Sequence, residues 1–202
     1  MTTYKLTYFN FTGLGEPIRY LLSYGGIKFE DHRVSSEEWP KIKSKMPMGQ
    51  MPILEIDGKQ YNQSKAIVRF LAKKFDLYGS DDYEALEIDA AADNVGDLGD
   101  VVSKYYWEED PEQKKRMKEI EMEKRPLLLE KLEAQVKKNG GYFVNGKLSW
   151  ADIWFAARCD YLSNILGFDV TKGYPELEKL VGKIRAIPNI KAYLEKRPKT
   201  HI

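Results

Sequence analysis

Residues 49–72 read GQMPILEIDGKQYNQSKAIVRFLA, and three local signals divide the stretch. Pro52 precedes the short alternating run Ile53-Leu54-Glu55-Ile56, a position at the start of a strand where a sheet tolerates proline. Asp57-Gly58 is a tight-turn pair, after which Lys59-Gln60-Tyr61 returns antiparallel as the second arm of a hairpin. Ser64 then stands before Ile67, Val68, Phe70 and Leu71 at helical spacing, so it reads as an N-cap. A loop entering a strand and the start of a helix therefore lie close together. Extended backbone at Gln50-Met51 pairs with a peptide, and a helix start favours an anion. The combination suits a short peptide with a free carboxylate, and any catalytic group has to come from elsewhere in the chain.

Composition limits the chemistry. The net charge is +1 with no basic run, which argues against an electrostatic reader of nucleic acid. One cysteine, Cys159, excludes an internal disulfide, a CxxC pair and a Cys-rich metal site; His32 and His201 are too few for a zinc centre or a His-based triad. No apolar stretch reaches membrane-spanning length, and Tyr4 opens a strand-like run rather than a signal pattern. The expectation is a reduced, soluble, cytoplasmic protein without metal.

Outward from the opening stretch, Tyr4 to Phe9 alternates as a first strand, and Asn10 to Gly15 forms a loop in which two glycines flank Leu14. Pro17 suits a first helical turn, with Ile18, Leu21 and Leu22 as the apolar stripe up to Gly25-Gly26. Lys28 to Val34 reads as a second strand, followed by a short segment with Trp39 and Lys43 that Pro40 and Pro47 interrupt. The order is βαβαββα over residues 1–76, an α/β domain. Residues 77–82 read as a linker and 83–202 as an all-α domain. Its first helix runs from Tyr83 to about Trp107 and contains Gly96 and Gly99, a sign of close packing or a bend. A second starts at Asp110-Pro111 and ends near Asn139. Ser149 and Asp152 form a capping-box pattern ahead of a nearly all-apolar central helix, and two short helices follow over Glu176 to Ala186 and Asn189 to Lys196.

Taken together, Tyr8 in KLTYFN, EPIRYLLSYGG, Trp39, Lys43, MPMGQMPILEIDG, NQSKAI and KLSWADIWF resemble the cytosolic glutathione transferases, and within them the sigma class, which includes insect enzymes and haematopoietic prostaglandin D synthases. The resemblance covers the whole chain. It implies a thioredoxin-like N-terminal domain with an all-helical second domain, glutathione as co-substrate, a homodimer, and conjugation of glutathione to hydrophobic electrophiles in detoxification. Alternatives within the same fold are glutathione-dependent prostaglandin isomerase or lipid peroxidase action, and a non-catalytic, crystallin-like ligand-binding role.

The resemblance also assigns residues. Tyr8 becomes the catalytic hydroxyl that stabilises the glutathione thiolate; from the sequence alone it is one tyrosine of 13. Gln63 and Ser64 match the pair holding the γ-glutamyl carboxylate. Met51 matches the residue whose backbone pairs with the cysteinyl part, with Pro52 cis, although residues alone favour trans; Gln50 adds a side-chain contact. Trp39 and Lys43 match contacts to the glycyl end. Asp97 of the partner subunit matches an acid that reaches the glutamyl amine, against the plain reading of a solvated helix acid. Phe9, Leu14, Tyr105, Tyr106 and Trp107 are expected to line the electrophile pocket. In two places the chain departs from the family: Leu14 stands where some members carry Arg, and Gly96 interrupts an acidic cluster that binds metal in mammalian prostaglandin synthases.

Overall fold

In the computed structural model, which describes residues 2–202, the alternating N-terminal run becomes strand β1 (Tyr4–Phe9). Leu6, Thr7 and Tyr8 are buried in succession, as happens when both faces of a strand are covered. A loop leads to α1 (Glu16–Tyr24), then β2 (Glu30–Val34), α2 (Trp39–Ile42), β3 (Ile53–Ile56), β4 (Lys59–Asn62) and α3 (Ser64–Lys74). The sheet order is β2-β1-β3-β4, with β1 parallel to β2 and antiparallel to β3. This is the expected thioredoxin-like βαβαββα unit. Asp57 and Gly58 both take positive φ, 49° and 81°, the conformation that a two-residue hairpin demands. Helices α1 and α3 pack together, burying Ile18, Leu21, Leu22, Ile67, Val68 and Leu71.

Three local expectations are corrected. Pro40 does not interrupt a helix but sits in the first turn of α2, where its missing N–H costs nothing. Strand β3 begins at Ile53, one residue after Pro52. Ser64 is the first residue of α3, and Gln63 occupies the cap position with φ 70° and ψ 103° and no side-chain capping bond.

Four more helices, α4 (Asp82–Trp107), α5 (Pro111–Lys138), α6 (Trp150–Leu166) and α7 (Pro175–Arg185), make up the helical part, and α8 (Pro188–Lys196) follows. Contacts divide the chain into one unit running to Leu77 and including Arg185–Ile202, and another spanning Tyr78–Ile184. Residues 185–202, which the sequence reading places with the helical domain, group by contact with the first unit. Helix α8 packs on α1, and Glu16 of α1 accepts from Tyr193 Oη at 3.0 Å and Arg197 Nη1 at 2.6 Å. The stretch read as a linker makes local bonds. Tyr78 Oη donates to Asp89 at 2.9 Å, Ser80 is bonded to Glu84, and Asp81 caps α4.

Within the helical unit α4 packs against α5 and α6. Helix α6 is buried almost throughout, with Trp150, Trp154 and Phe155 among its enclosed side chains. Its capping box is formed as expected by Ser149 and Asp152. A Cβ on Gly99 would collide with the Arg158 guanidinium: close approach, not a bend, explains that glycine.

Candidate functional site

Strand register carries the site. Thr7 pairs with Ile53 across β1 and β3, and Ile53 pairs with Asn62 across β3 and β4. Tyr8, Pro52 and Gln63 are the residues next along the chain from these pairs, all at one end of the sheet. Phe9 pairs with Val34, so β2 also ends here and delivers the chain to Trp39 and Lys43. Met51–Pro52 is cis, as the resemblance implied. Gln50 is extended, with φ −136° and ψ 159°. Four separate segments of the first unit thus converge.

Tyr8 is 5% exposed. Its phenolic oxygen accepts the backbone N–H of Leu14 at 3.0 Å, an orientation that polarises the hydroxyl as a donor. Phe9 and Phe11 pack edge-on to the Tyr8 ring, and Phe9 stacks on Phe11 with 5.3 Å between centroids. Trp39 meets Phe9 edge-on at 5.4 Å.

The loop glycines explain how the ring and loop approach so closely. A Cβ on Gly13, which has φ +45°, would lie 2.6 Å from Tyr8 Oη, and one on Gly15 would run into the Tyr8 ring. The two glycines beside Leu14 were visible in the sequence, but their contact with Tyr8 was not. Gly15 has helical angles, so alanine there adds a collision without backbone strain. Gly15→Ala is expected to lower the rate of the conjugation that the resemblance implies more than tenfold while far-UV circular dichroism is retained, since overpacking moves side chains before it unfolds the chain. An unchanged rate would mean that the loop does not set Tyr8.

Helix α3 begins without a side-chain cap from Gln63, and unpaired N–H groups at a helix start attract a carboxylate. Gln63 holds a positive φ that a non-glycine side chain adopts at a cost. Ser64 is buried beside it, whereas Lys43, Gln50 and Gln63 are exposed.

The helical unit carries the other expected residues. Trp107 Nε1 donates to Tyr161 Oη at 2.8 Å, Tyr105 Oη donates to the Ile165 carbonyl at 3.4 Å, and Tyr106 packs edge-on to Trp107. Asp97 is exposed on α4 and borders a cleft of about 380 Å³ with Lys104, Lys124 and Leu127. Among the described residues, no group of three or more His, Cys, Asp or Glu side chains is arranged for a metal, and no helix is long and apolar enough to cross a membrane.

Comparison with known proteins agrees over both parts of the chain. Residues 4–73 match the family model of the glutathione S-transferase N-terminal domain, and residues 96–197 match that of the C-terminal domain. A glutathione S-transferase of Anopheles gambiae is 43% identical, with 100% of both chains covered. The hematopoietic prostaglandin D synthase of Rattus norvegicus is 38% identical, again with 100% of each chain covered. The solved prostaglandin synthase D of Nilaparvata lugens superposes with a TM-score of 0.93 at 47% identity, covering 98% of this chain and 100% of that one. With both domain models matched in order and full-length relatives well above 30% identity, this chain belongs to the glutathione S-transferase family.

Proposed function

We propose that this glutathione transferase joins the sulfur of reduced glutathione to hydrophobic electrophiles, with Tyr8 donating a hydrogen bond to the thiolate. The thiol form is a weak nucleophile at neutral pH, so the reaction needs a group that stabilises the sulfur anion. The observation that supports this most is the register that leaves Tyr8, cis Met51–Pro52 and Gln63–Ser64 next to its last pairs at one sheet end. In this reading the cysteinyl backbone lies along Met51, and Gln50 adds a contact. The γ-glutamyl carboxylate meets Gln63 and Ser64 at the start of α3, and the glycyl end reaches Trp39 and Lys43. Each electrophile-side residue is proposed on its own exposure and chemistry: Phe9 and Leu14 in the first unit, Tyr105, Tyr106 and Trp107 in the second. A chloronitrobenzene conjugation assay tests the function, and no turnover with glutathione would refute it.

A second reading, isomerisation of a prostaglandin endoperoxide by the same thiolate, draws support from the prostaglandin synthases among the relatives. Prostaglandin H2 as substrate separates the two.

We place the chain in the sigma class, in cytoplasmic detoxification, and as a homodimer. A second copy suits the exposed apolar side chains Tyr61 and Phe70, which border a hollow of about 260 Å³ with Leu54 and Ile56. In the dimer, Asp97 of the partner subunit would pair with the glutamyl amine. A hydrogen bond involving a charged group contributes about 1.5 kcal/mol, so Asp97→Ala is expected to weaken glutathione binding roughly tenfold by calorimetry. Unchanged affinity would remove Asp97 from the site.

A further inference from the structure

Helix α1 encloses two full charges that the proposed chemistry does not use. The side chains of Glu16 and Arg19 are 0% exposed and 3.0 Å apart, and buried ions are costly unless closely matched by partners. Their partners show what they hold. Arg19 Nη1 donates to the Phe11 carbonyl at 3.0 Å and Nη2 to the Phe9 carbonyl at 3.4 Å. Its Nε donates to Asp31 at 2.9 Å, so one rigid guanidinium fork spans the loop and the sheet. Those two carbonyls lie directly after Tyr8, on the way to Leu14, whose N–H meets the Tyr8 oxygen. Arg19 Cζ also lies 5.8 Å from the centre of the Tyr8 ring.

The other oxygen of Glu16 faces the C-terminal segment and accepts from Tyr193 Oη and Arg197 Nη1. Arg33 closes the network, with Nε on Asp31 at 2.7 Å and Nη2 on Tyr193 Oη at 3.4 Å. Burial pulls the Arg19 pKa down, yet Glu16 and Asp31 outweigh it and the guanidinium is held charged. Burial, then Glu16, push the Tyr193 phenol up, so it stays protonated and donates.

We infer that Arg19 and Glu16 are positioning residues for Tyr8, and that Arg197 and Tyr193 hold them in place, so that the C-terminal segment sets the strength of the hydrogen bond to the glutathione sulfur. The inference rests on the proposed role of Tyr8. Without Arg197, the enclosed Glu16 carboxylate loses one of its two charged partners and draws more strongly on the other, Arg19. The Phe9 and Phe11 carbonyls are then released, and Leu14 leaves the phenol.

The test titrates the ultraviolet absorbance of the thiolate of enzyme-bound glutathione in wild type, Arg197→Gln, Arg197→Lys, Tyr193→Phe and Tyr8→Phe. Arg197→Gln is expected to raise the thiol titration by about half a unit to one unit, and to lower kcat at neutral pH roughly three- to tenfold. The KM for glutathione should stay unchanged, and Arg197→Lys should restore part of the loss by returning the charge. Tyr193→Phe removes one hydroxyl and is expected to shift the titration less, in the same direction; it carries the test if Arg197→Gln does not fold. A lower Tm with an unmoved titration in both Arg197→Gln and Tyr193→Phe overturns the inference, provided that Tyr8→Phe moves it. If Tyr8→Phe leaves the titration unmoved, the proposed role of Tyr8 falls and the positioning role falls with it.

Discussion

Tyr8→Phe is expected to cut the rate of glutathione conjugation about a hundredfold at neutral pH while leaving glutathione binding close to wild type. The substitution removes one hydroxyl and keeps the ring that packs on Phe9 and Phe11. What disappears is the donor to the sulfur anion. If that hydrogen bond lowers the thiol pKa by about two units, its loss is worth ~2.7 kcal/mol in the two protonation states. The loss should therefore shrink as pH rises and solvent alone ionises the thiol. Initial rates of wild type and variant from pH 6 to pH 9 check this, and parallel profiles of equal height would remove Tyr8 from the mechanism. The Leu14 N–H remains in the variant but loses its acceptor, which adds a small further penalty to stability.

Asp152→Ala should have the largest effect on stability. The carboxylate is fully buried, accepts from Phe143 N at 2.9 Å and Ser149 N at 2.7 Å, and takes the Ser149 hydroxyl at 2.8 Å. Alanine strands two buried backbone donors at about 1–3 kcal/mol each and removes the reciprocal cap of α6, worth about 1 kcal/mol. A loss of about 4 kcal/mol is expected, measured from denaturant midpoints.

The same side chain makes stability depend on pH. Burial pushes the Asp152 carboxyl up to about 6, against four lowering hydrogen bonds, whereas an unfolded aspartate titrates at about 3.9. Between those values the folded protein holds more protons than the unfolded chain, so this contribution is full below about 4 and is lost as pH rises through about 6. Relative to Asp152→Asn, which does not titrate, wild type should lose about 2 kcal/mol from pH 4 to pH 7. A constant difference between the two proteins would contradict the shift.

Much of the framework was legible because its signals are local. Strict alternation marks β1, Asp57-Gly58 marks the hairpin, Asp110-Pro111 opens α5, and Ser149 with Asp152 opens α6. The convergence of Tyr8, Pro52 and Gln63 could not be read from spacing, because it depends on strand order and register. Motif resemblance supplied those residues instead. Glu16 and Arg19 look like any charged pair on a helix. Only their partners, up to 181 positions away at Arg197, make them internal. Helix α8 has ordinary amphipathic spacing, and periodicity shows that a face is buried without showing against what, so its place on α1 was missed. Ser64 looked like a cap by residue type, yet the positive φ at Gln63 puts the cap one position earlier, and glutamine is not a residue that announces such a turn.

The most direct measurement is a crystal structure of the protein with reduced glutathione. The tripeptide should lie along Met51, its γ-glutamyl carboxylate at Gln63 and Ser64, and its sulfur within hydrogen-bond reach of Tyr8 Oη. Sulfur bound elsewhere, with the phenol turned away from it, would contradict the assignment of Tyr8 as the catalytic group.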